Sequence, residues 1–114
     1  MTAALDLSDA DLAILRAVLE QHLPNGARVF VFGSRAHGGA RQYSDLDLAL
    51  AWDQPLGLEL IGSIAEALSE SDLPYKVDLV DLSTVDPSFR DRIARQCVAL
   101  PLDTGSVITP ARNL

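Results

Sequence analysis

The sequence has few of the residues that mark secreted, membrane-spanning or nucleic-acid-binding proteins. Its 114 residues include one cysteine, Cys97, so no disulfide can form within the chain and we expect a cytoplasmic protein. Nine residues are Lys or Arg against 16 Asp or Glu, which gives a net charge of −7. This balance disfavours a nucleic-acid-binding surface, because phosphate backbones require clustered cations. No apolar run approaches the length that crosses a membrane.

The remaining composition is that of an ordinary globular domain. Hydrophobic residues make up 48% of the chain and charged residues 22%, close to the usual proportions. The length suffices for one hydrophobic core and leaves no room for a second. We therefore expect a single domain over residues 1–114, with its core at about 8–100. The tail, about 101–114, is predicted to be either a loose strand or disordered.

Helical and strand patterns alternate along the chain. Apolar residues at helical spacing predict helices, and short apolar runs bounded by Gly, Pro and Asp predict strands. Strands separated by helices favour an α/β or α+β sheet, although the pattern alone does not give the strand order. The predicted helices are 9–23, 34–38 (short), 57–69 and 86–98, and the predicted strands are 28–32, 46–52 and 75–82.

The most informative stretch begins with the first strand. Val29 to Phe32 is a run of β-branched and aromatic residues that is typical of a buried strand. Gly33-Ser34 ends this run and precedes the short helical segment. A turn of this kind leaves backbone N–H groups free at the start of a helix, which is where phosphates bind. The turn is therefore a candidate phosphate site.

Two carboxylates follow ten residues later, in the sequence Asp45-Leu46-Asp47. Alternate side chains of a strand point to opposite faces, so Asp45 and Asp47 share one face. Two adjacent carboxylates repel each other unless a cation lies between them. Magnesium takes oxygen ligands and keeps positions open for phosphate oxygens. The turn and the carboxylates together predict a nucleotide site.

These motifs resemble the signature of the DNA polymerase β-like nucleotidyltransferase superfamily. The shared features are Gly33-Ser34 after an apolar strand, a second glycine at Gly38, and Ser44 before the Asp-x-Asp strand. More narrowly, the stretch from Val29 to about Leu82 is similar to minimal nucleotidyltransferase (MNT) domains. These include the MntA-like antitoxins of HEPN/MNT toxin–antitoxin systems.

The resemblance implies a fold, a reaction and its cofactors. The fold is an α/β (α+β) one, a small mixed β-sheet with helices packed on one side and the active carboxylates on an exposed face. The reaction is nucleotidyl transfer, in which a hydroxyl attacks the α-phosphate of ATP and pyrophosphate leaves. The implied cofactor is Mg2+, with two ions that stabilise the attacking and leaving oxygens. The resemblance does not fix the base preference.

The resemblance also implies the residues of the site. The acidic residues Asp45, Asp47 and Asp78 are expected to be catalytic and to bind metal. The nucleotide-binding residues are expected to be Gly33, Ser34, Arg35, Gly38 and Ser44.

Three of these assignments compete with plainer ones. The chain itself leaves two candidates for the third carboxylate, Asp78 and Asp81, which lie three residues apart and so on opposite strand faces. The family pattern of an aspartate between hydrophobic residues favours Asp78, whereas Asp81 is then a strand-end cap. Arg35 is either a solvated side chain or a group that neutralises phosphate. Ser44 is also a candidate for a local backbone cap.

The acceptor of the nucleotide is expected to be a protein. The chain has neither the length nor the positive charge of template-gripping polymerases, so the resemblance points to a tyrosine of a HEPN-domain ribonuclease toxin, with which the chain would assemble. One alternative is a catalytically vestigial antitoxin that neutralises its partner by binding. Another is a small-molecule, antibiotic-modifying nucleotidyltransferase that needs a second chain.

Overall fold

The structure, a computed structural model, describes residues 7–36 and 44–102. The helices and strands predicted from sequence are present there, and the short helix is a 3-10 turn at Ser34–Ala36. The assignments of Gly38 and of the tail from residue 103 lie outside the described residues. The helices are α1 (Asp9–His22), α2 (Leu58–Ser69) and α3 (Pro87–Gln96), and the strands are β1 (Arg28–Phe32), β2 (Leu46–Ala51), β3 (Val77–Asp81) and β4 (Val98–Leu100).

The four strands form one mixed sheet in the order β3-β2-β1-β4. Strand β1 is antiparallel to β2 and β4, whereas β2 and β3 are parallel. Parallel strands require a long crossover, and α2 supplies it between β2 and β3. The mixed sheet confirms the predicted fold class.

Helices α1 and α2 cover one face of the sheet. Leu15 and Leu19 of α1 and Ile64 of α2 are fully buried, as are Val31 of β1 and Leu48 of β2. These side chains belong to one hydrophobic cluster, and burying each stabilises the fold by about 1.5–3 kcal/mol. The helical spacing of the leucines and the alternation along the strands produce this core.

Helix α3 lies over the opposite face, which differs from the expected one-sided arrangement. The ring centroids of Phe89 and Phe32 are 6.2 Å apart, with the rings nearly perpendicular. Phe32 alternates with the core residue Val31 and therefore points away from α1 and α2. Phe89 and Ile93 form the apolar stripe of α3, so this helix buries aromatic surface that the other helices cannot reach.

Strand β4 corrects the sequence prediction of a helix to about Val98. The helix ends at Gln96, and Cys97 has an extended backbone, with φ −92° and ψ 159°. Leu100 is buried and pairs with Val29 of β1. A three-residue strand is too short to show a periodic pattern in the sequence. Pairing with β1 stabilises the extended conformation of β4.

The predicted helix starts are confirmed. The Ser8 side chain accepts a hydrogen bond from the backbone N–H of Asp11 at 3.0 Å, and Asp86 caps α3 through Phe89 N–H at 3.0 Å. Such caps satisfy N–H groups that have no partner within the helix. None of the helices in residues 7–36 and 44–102 is long and apolar enough to span a membrane.

Candidate active site

The structure brings the three predicted carboxylates to one corner of the sheet. Asp47 of β2 is the cross-strand neighbour of Asp78 in the parallel strand β3. Asp45 directly precedes β2 and is two residues from Asp47, so the strand alternation places both on one face. The tight pairing of the two strands is shown by the hydrogen bond from Leu46 N–H to the Lys76 carbonyl at 2.8 Å.

Asp47 is the central and least solvated of the three carboxylates. Burial raises its pKa above the ordinary aspartate value, and the charges of Asp78 and then Asp45 raise it further. Asp47 is half-buried, whereas Asp45 is exposed. Like charges that are held together and partly desolvated disfavour ionisation. A divalent cation would relieve this repulsion.

Lys76 partly offsets the charge of Asp78. Its Nζ lies 3.6 Å from Asp78 Oδ1, and the two side chains are 73% and 42% exposed. An ion pair this exposed contributes about 0–1 kcal/mol. Lys76 can therefore leave Asp78 at little cost when another cation approaches.

The three carboxylates are neighbours but do not form a complete metal-binding site by themselves. Across residues 7–36 and 44–102, no three His, Cys, Asp or Glu side chains converge tightly enough to hold an ion as they stand. Mg2+ commonly takes one or two carboxylates together with water and substrate phosphate oxygens. The arrangement suits a metal that arrives with a phosphate-bearing ligand.

Gly33 is in direct contact with the carboxylate of Asp47. Its φ is +76°, and a Cβ built at this position would overlap Asp47 Oδ2. A left-handed backbone at this residue and the absence of a side chain are both needed here. The predicted phosphate turn and the predicted metal carboxylates are thus one continuous site.

Ser34 begins the 3-10 turn and is exposed. The turn is closed by a hydrogen bond from Ala36 N–H to the Gly33 carbonyl at 3.1 Å. The serine hydroxyl is therefore available at the edge of the site, next to Gly33. The phosphate roles of Gly33 and Ser34 stay predictions.

Arg35 is buried, so the alternative of a solvated side chain is wrong. It is 5% exposed, and its Nε–H donates to the Ser44 carbonyl at 3.0 Å. Its guanidinium carbon lies 3.9 Å from the Tyr75 ring centroid. These contacts join the residue before Asp45 to the turn after Gly33, and the phosphate contact predicted for Arg35 stays a prediction.

Two residues that no sequence motif indicates support Arg35. The Tyr75 hydroxyl donates to Asp11 Oδ2 at 3.0 Å, so a chain of contacts runs from α1 to the site. Asp11 falls in the first turn of the predicted helix 9–23, and Tyr75 begins the predicted strand 75–82. The tyrosine and the aspartate are 64 residues apart, and no local pattern signals their contact.

Asp81, the rival third carboxylate, lies at the end of β3 beside Leu50 and not beside Asp47. It accepts hydrogen bonds from Leu56 N–H at 2.9 Å and from the N–H and hydroxyl of Ser83 at 3.0 and 2.7 Å. Burial opposes its ionisation, but these hydrogen bonds outweigh that effect and lower the pKa of Asp81. The residue caps the chain at this end of the strand.

Comparisons with known proteins identify the family of the chain. Residues 15–100 match the family described as polymerase beta, nucleotidyltransferase. The Probable protein adenylyltransferase MntA of Haemophilus influenzae is 43% identical over 98 residues, which is 86% of this chain and 85% of that protein.

Solved structures share the fold. A crystal structure of a toxin–antitoxin with AMP-PNP has 25% identity and a TM-score of 0.70, and the match covers 82% of this chain and 74% of that one. A tri-AMPylated HEPN toxin of Shewanella oneidensis in complex with MNT antitoxin matches with 24% identity and a TM-score of 0.62, over 81% and 70% of the two chains. The resemblance of the sequence motifs is confirmed: the chain belongs to the polymerase β nucleotidyltransferase family, among its MntA-like members.

Proposed function

We propose that this chain transfers AMP from ATP to a hydroxyl of a partner protein and so acts as the antitoxin of a HEPN-domain toxin. The observation that carries the proposal is the contact of Gly33 with Asp47, at a corner where Asp45 and Asp78 also lie. A turn that can receive phosphates and a carboxylate group that can receive metal are the two halves of a nucleotidyl-transfer site. The 43% identity to an adenylyltransferase supports the choice of AMP as the transferred group.

Mg2+ fits the donor set of this corner. Its oxygen ligands would come from Asp45 and Asp47, with Asp78 beside them. The pKa of Asp47 is raised by burial and then by the charges of Asp78 and Asp45, and a cation would offset both effects. When bound, two such ions would neutralise negative charge on the reacting groups. The incomplete ligand set leaves positions for phosphate oxygens, as expected when metal and triphosphate bind together.

Each residue of the site has a distinct task in this reaction. The N–H groups of Gly33 and Ser34 and the exposed serine hydroxyl would hold the terminal phosphates. Asp78, at the β3 side of Asp47, would accept the proton of the acceptor hydroxyl or bind metal beside it. Arg35 holds the start of β2 against the turn, because it donates to Ser44. These tasks require an acceptor that reaches the corner of the sheet where the carboxylates lie.

A flexible tyrosine of the HEPN-domain toxin is the proposed acceptor. The family resemblance of the sequence points to this residue type, and the matched structure with AMP-PNP is a toxin–antitoxin complex. AMP on such a tyrosine adds bulk and negative charge, which repels RNA from a nearby ribonuclease site. We place the reaction in the cytoplasm, since the chain has a single cysteine.

The test is a transfer reaction with the protein encoded next to this chain. The two proteins are incubated with ATP and Mg2+, and mass spectrometry of the neighbour follows the gain of AMP on tyrosine. We expect modification by the wild-type chain. In Asp45→Asn and Asp47→Asn the rate of transfer should fall by at least about a hundredfold, because the cation that stabilises the developing negative charge would lose a ligand. Asp81→Asn is the matched control and should retain activity if the protein folds.

Three outcomes would contradict the proposal. Tight binding without modification, with an Asp45→Asn variant that still neutralises the toxin, would show an antitoxin that acts by binding alone. Transfer of AMP to small hydroxylated antibiotics in preference to the neighbour would show a small-molecule transferase. Equal activity of Asp47→Asn and wild type would show that the Asp47 carboxylate is not needed for the reaction.

A further inference from the structure

We propose that Arg92 of α3 binds the terminal phosphates of the nucleoside triphosphate, in a groove next to Gly33. This inference rests on the proposed function and adds a phosphate contact from outside the sequence motif. The groove, here called the β1–α3 groove, has a volume of about 210 Å3. It is lined by Phe32, Gly33, Phe89, Arg92, Ile93 and Gln96.

The groove is continuous with the carboxylate corner. Gly33 forms its wall on the β1 side, and the same glycine is in contact with the Asp47 carboxylate. A polyphosphate whose α-phosphate is near Asp47 and whose terminal phosphates follow the Gly33–Ser34 turn would therefore pass the mouth of the groove.

Helix α3 presents Arg92 to this position. Residues 89, 92, 93 and 96 are spaced at i, i+3, i+4 and i+7 and share one helix face. Phe89 packs edge-on against Phe32 at 6.2 Å, which fixes the helix above the end of β1. The Arg92 guanidinium carbon lies 5.3 Å from the Phe89 ring centroid. Because Arg92 itself is exposed, its charge stays accessible to a ligand while its side chain is held by the ring.

A charge inventory of the described residues around the site favours Arg92. Arg35 is 5% exposed and already contacts Ser44 and Tyr75. Lys76 is paired with Asp78 on the far side of Asp47. A guanidinium at the terminal phosphates would add a bidentate, charge-assisted contact to the charge that Mg2+ would supply beside the three carboxylates. Arg92 is the arginine that shares a cavity with Gly33.

A cation at the terminal phosphates would also assist the reaction itself. Adenylyl transfer breaks the bond between the α-phosphorus and the bridging oxygen, and that oxygen leaves with pyrophosphate. Negative charge therefore grows on the leaving group in the transition state. A guanidinium offers two parallel N–H donors to phosphate oxygens and stabilises such charge. Because AMP lacks the terminal phosphates, Arg92 would strengthen the binding of ATP but not that of AMP.

The experiment compares nucleotide binding by three variants of the full chain in the absence of an acceptor. Arg92→Gln removes the charge, Arg92→Lys retains it, and Arg90→Gln is the control, since it removes the same charge from the same helix in a different cavity. Equilibrium titrations with ATP and with AMP, at fixed Mg2+ and two salt concentrations, give the dissociation constants. Thermal melts of each variant verify that α3 remains folded.

We expect Arg92→Gln to weaken ATP binding about tenfold or more, with a smaller salt dependence, and to leave AMP binding unchanged. Arg92→Lys should recover part of the ATP affinity, and Arg90→Gln should resemble wild type. Equal weakening of ATP and AMP, or no difference between the two glutamine variants, would overturn the inference but leave the proposed function intact. Failure of the wild-type chain to bind ATP at all would overturn both.

Discussion

At the scale of single residues, Gly33 is the position where backbone conformation and active-site geometry depend on each other. A side chain here would require a positive φ that L-residues rarely adopt and would displace the Asp47 carboxylate. Gly26 has a similar φ of +84°, but a Cβ there would meet nothing within 4 Å. Substitutions at the two glycines can therefore be compared to distinguish the effect of backbone strain from that of steric conflict.

We expect Gly33→Ala and Gly26→Ala each to lower the free energy of unfolding by about 1–3 kcal/mol, because both place alanine in the left-handed region. Only Gly33→Ala should also abolish metal-dependent ATP binding, since only its Cβ moves Asp47. Chemical denaturation and nucleotide titration of both variants test this pair. Normal ATP binding by Gly33→Ala would show that the turn and Asp47 are independent.

At the scale of elements, Arg35 connects three parts of the chain that are distant in sequence. It lies in the 3-10 turn, donates to Ser44 at the entrance to β2, and stacks on Tyr75, which in turn reaches Asp11 of α1. The site geometry thus depends on a helix that contributes no catalytic group. Arginine is suited to this place because its planar guanidinium can stack and donate at once.

We expect Arg35→Met, which keeps the approximate volume, to destabilise the protein by about 2–4 kcal/mol through loss of the stacking contact and of a charge-assisted hydrogen bond. The matched control is Arg95→Met on the exposed side of α3, where a change within about 0.5 kcal/mol is expected. Denaturant titrations measure both. Similar stability of the two variants would mean that the Arg35 contacts contribute little.

At the scale of the whole molecule, the fold holds a group of carboxylates together at a cost to its own stability. The pKa of Asp47 is raised, chiefly by burial and then by Asp78 and Asp45. A raised aspartate pKa means that the ionised form is less stable in the folded than in the unfolded state. The cost is absent below the unfolded pKa of about 3.9 and is fully present above the folded pKa.

We expect Asp47→Asn to be more stable than wild type in EDTA at pH 7, because the asparagine carries no charge. The difference should shrink as the pH falls through the folded pKa of Asp47 and vanish below the unfolded pKa of about 3.9, where the carboxyl group is protonated in both states. Mg2+ together with ATP should raise the melting temperature of wild type and leave the variant unchanged, since ligands that bind the folded state stabilise it. A less stable Asp47→Asn in EDTA would contradict the raised pKa of Asp47.

The sequence by itself determined the features that depend on neighbouring residues. The helix starts at Ser8 and Asp86 follow from the local sequence, because a cap acts within three residues. The spacing of Asp45 and Asp47 predicted a shared face, because strand side chains alternate with a fixed period of two. The Gly-Ser turn and the Asp-x-Asp strand also sufficed to predict the family.

Only the tertiary structure decided the features that depend on strand register and packing. The parallel register brings Asp78 beside Asp47 and leaves Asp81 at Leu50, although both aspartates fit the local pattern of β3. Strand β4, the stacking of Arg35 on Tyr75 and the position of Arg92 near Gly33 likewise join residues far apart in the chain. Such contacts depend on how the whole core packs, which involves residues far apart in the sequence. A short stretch of sequence therefore does not predict them.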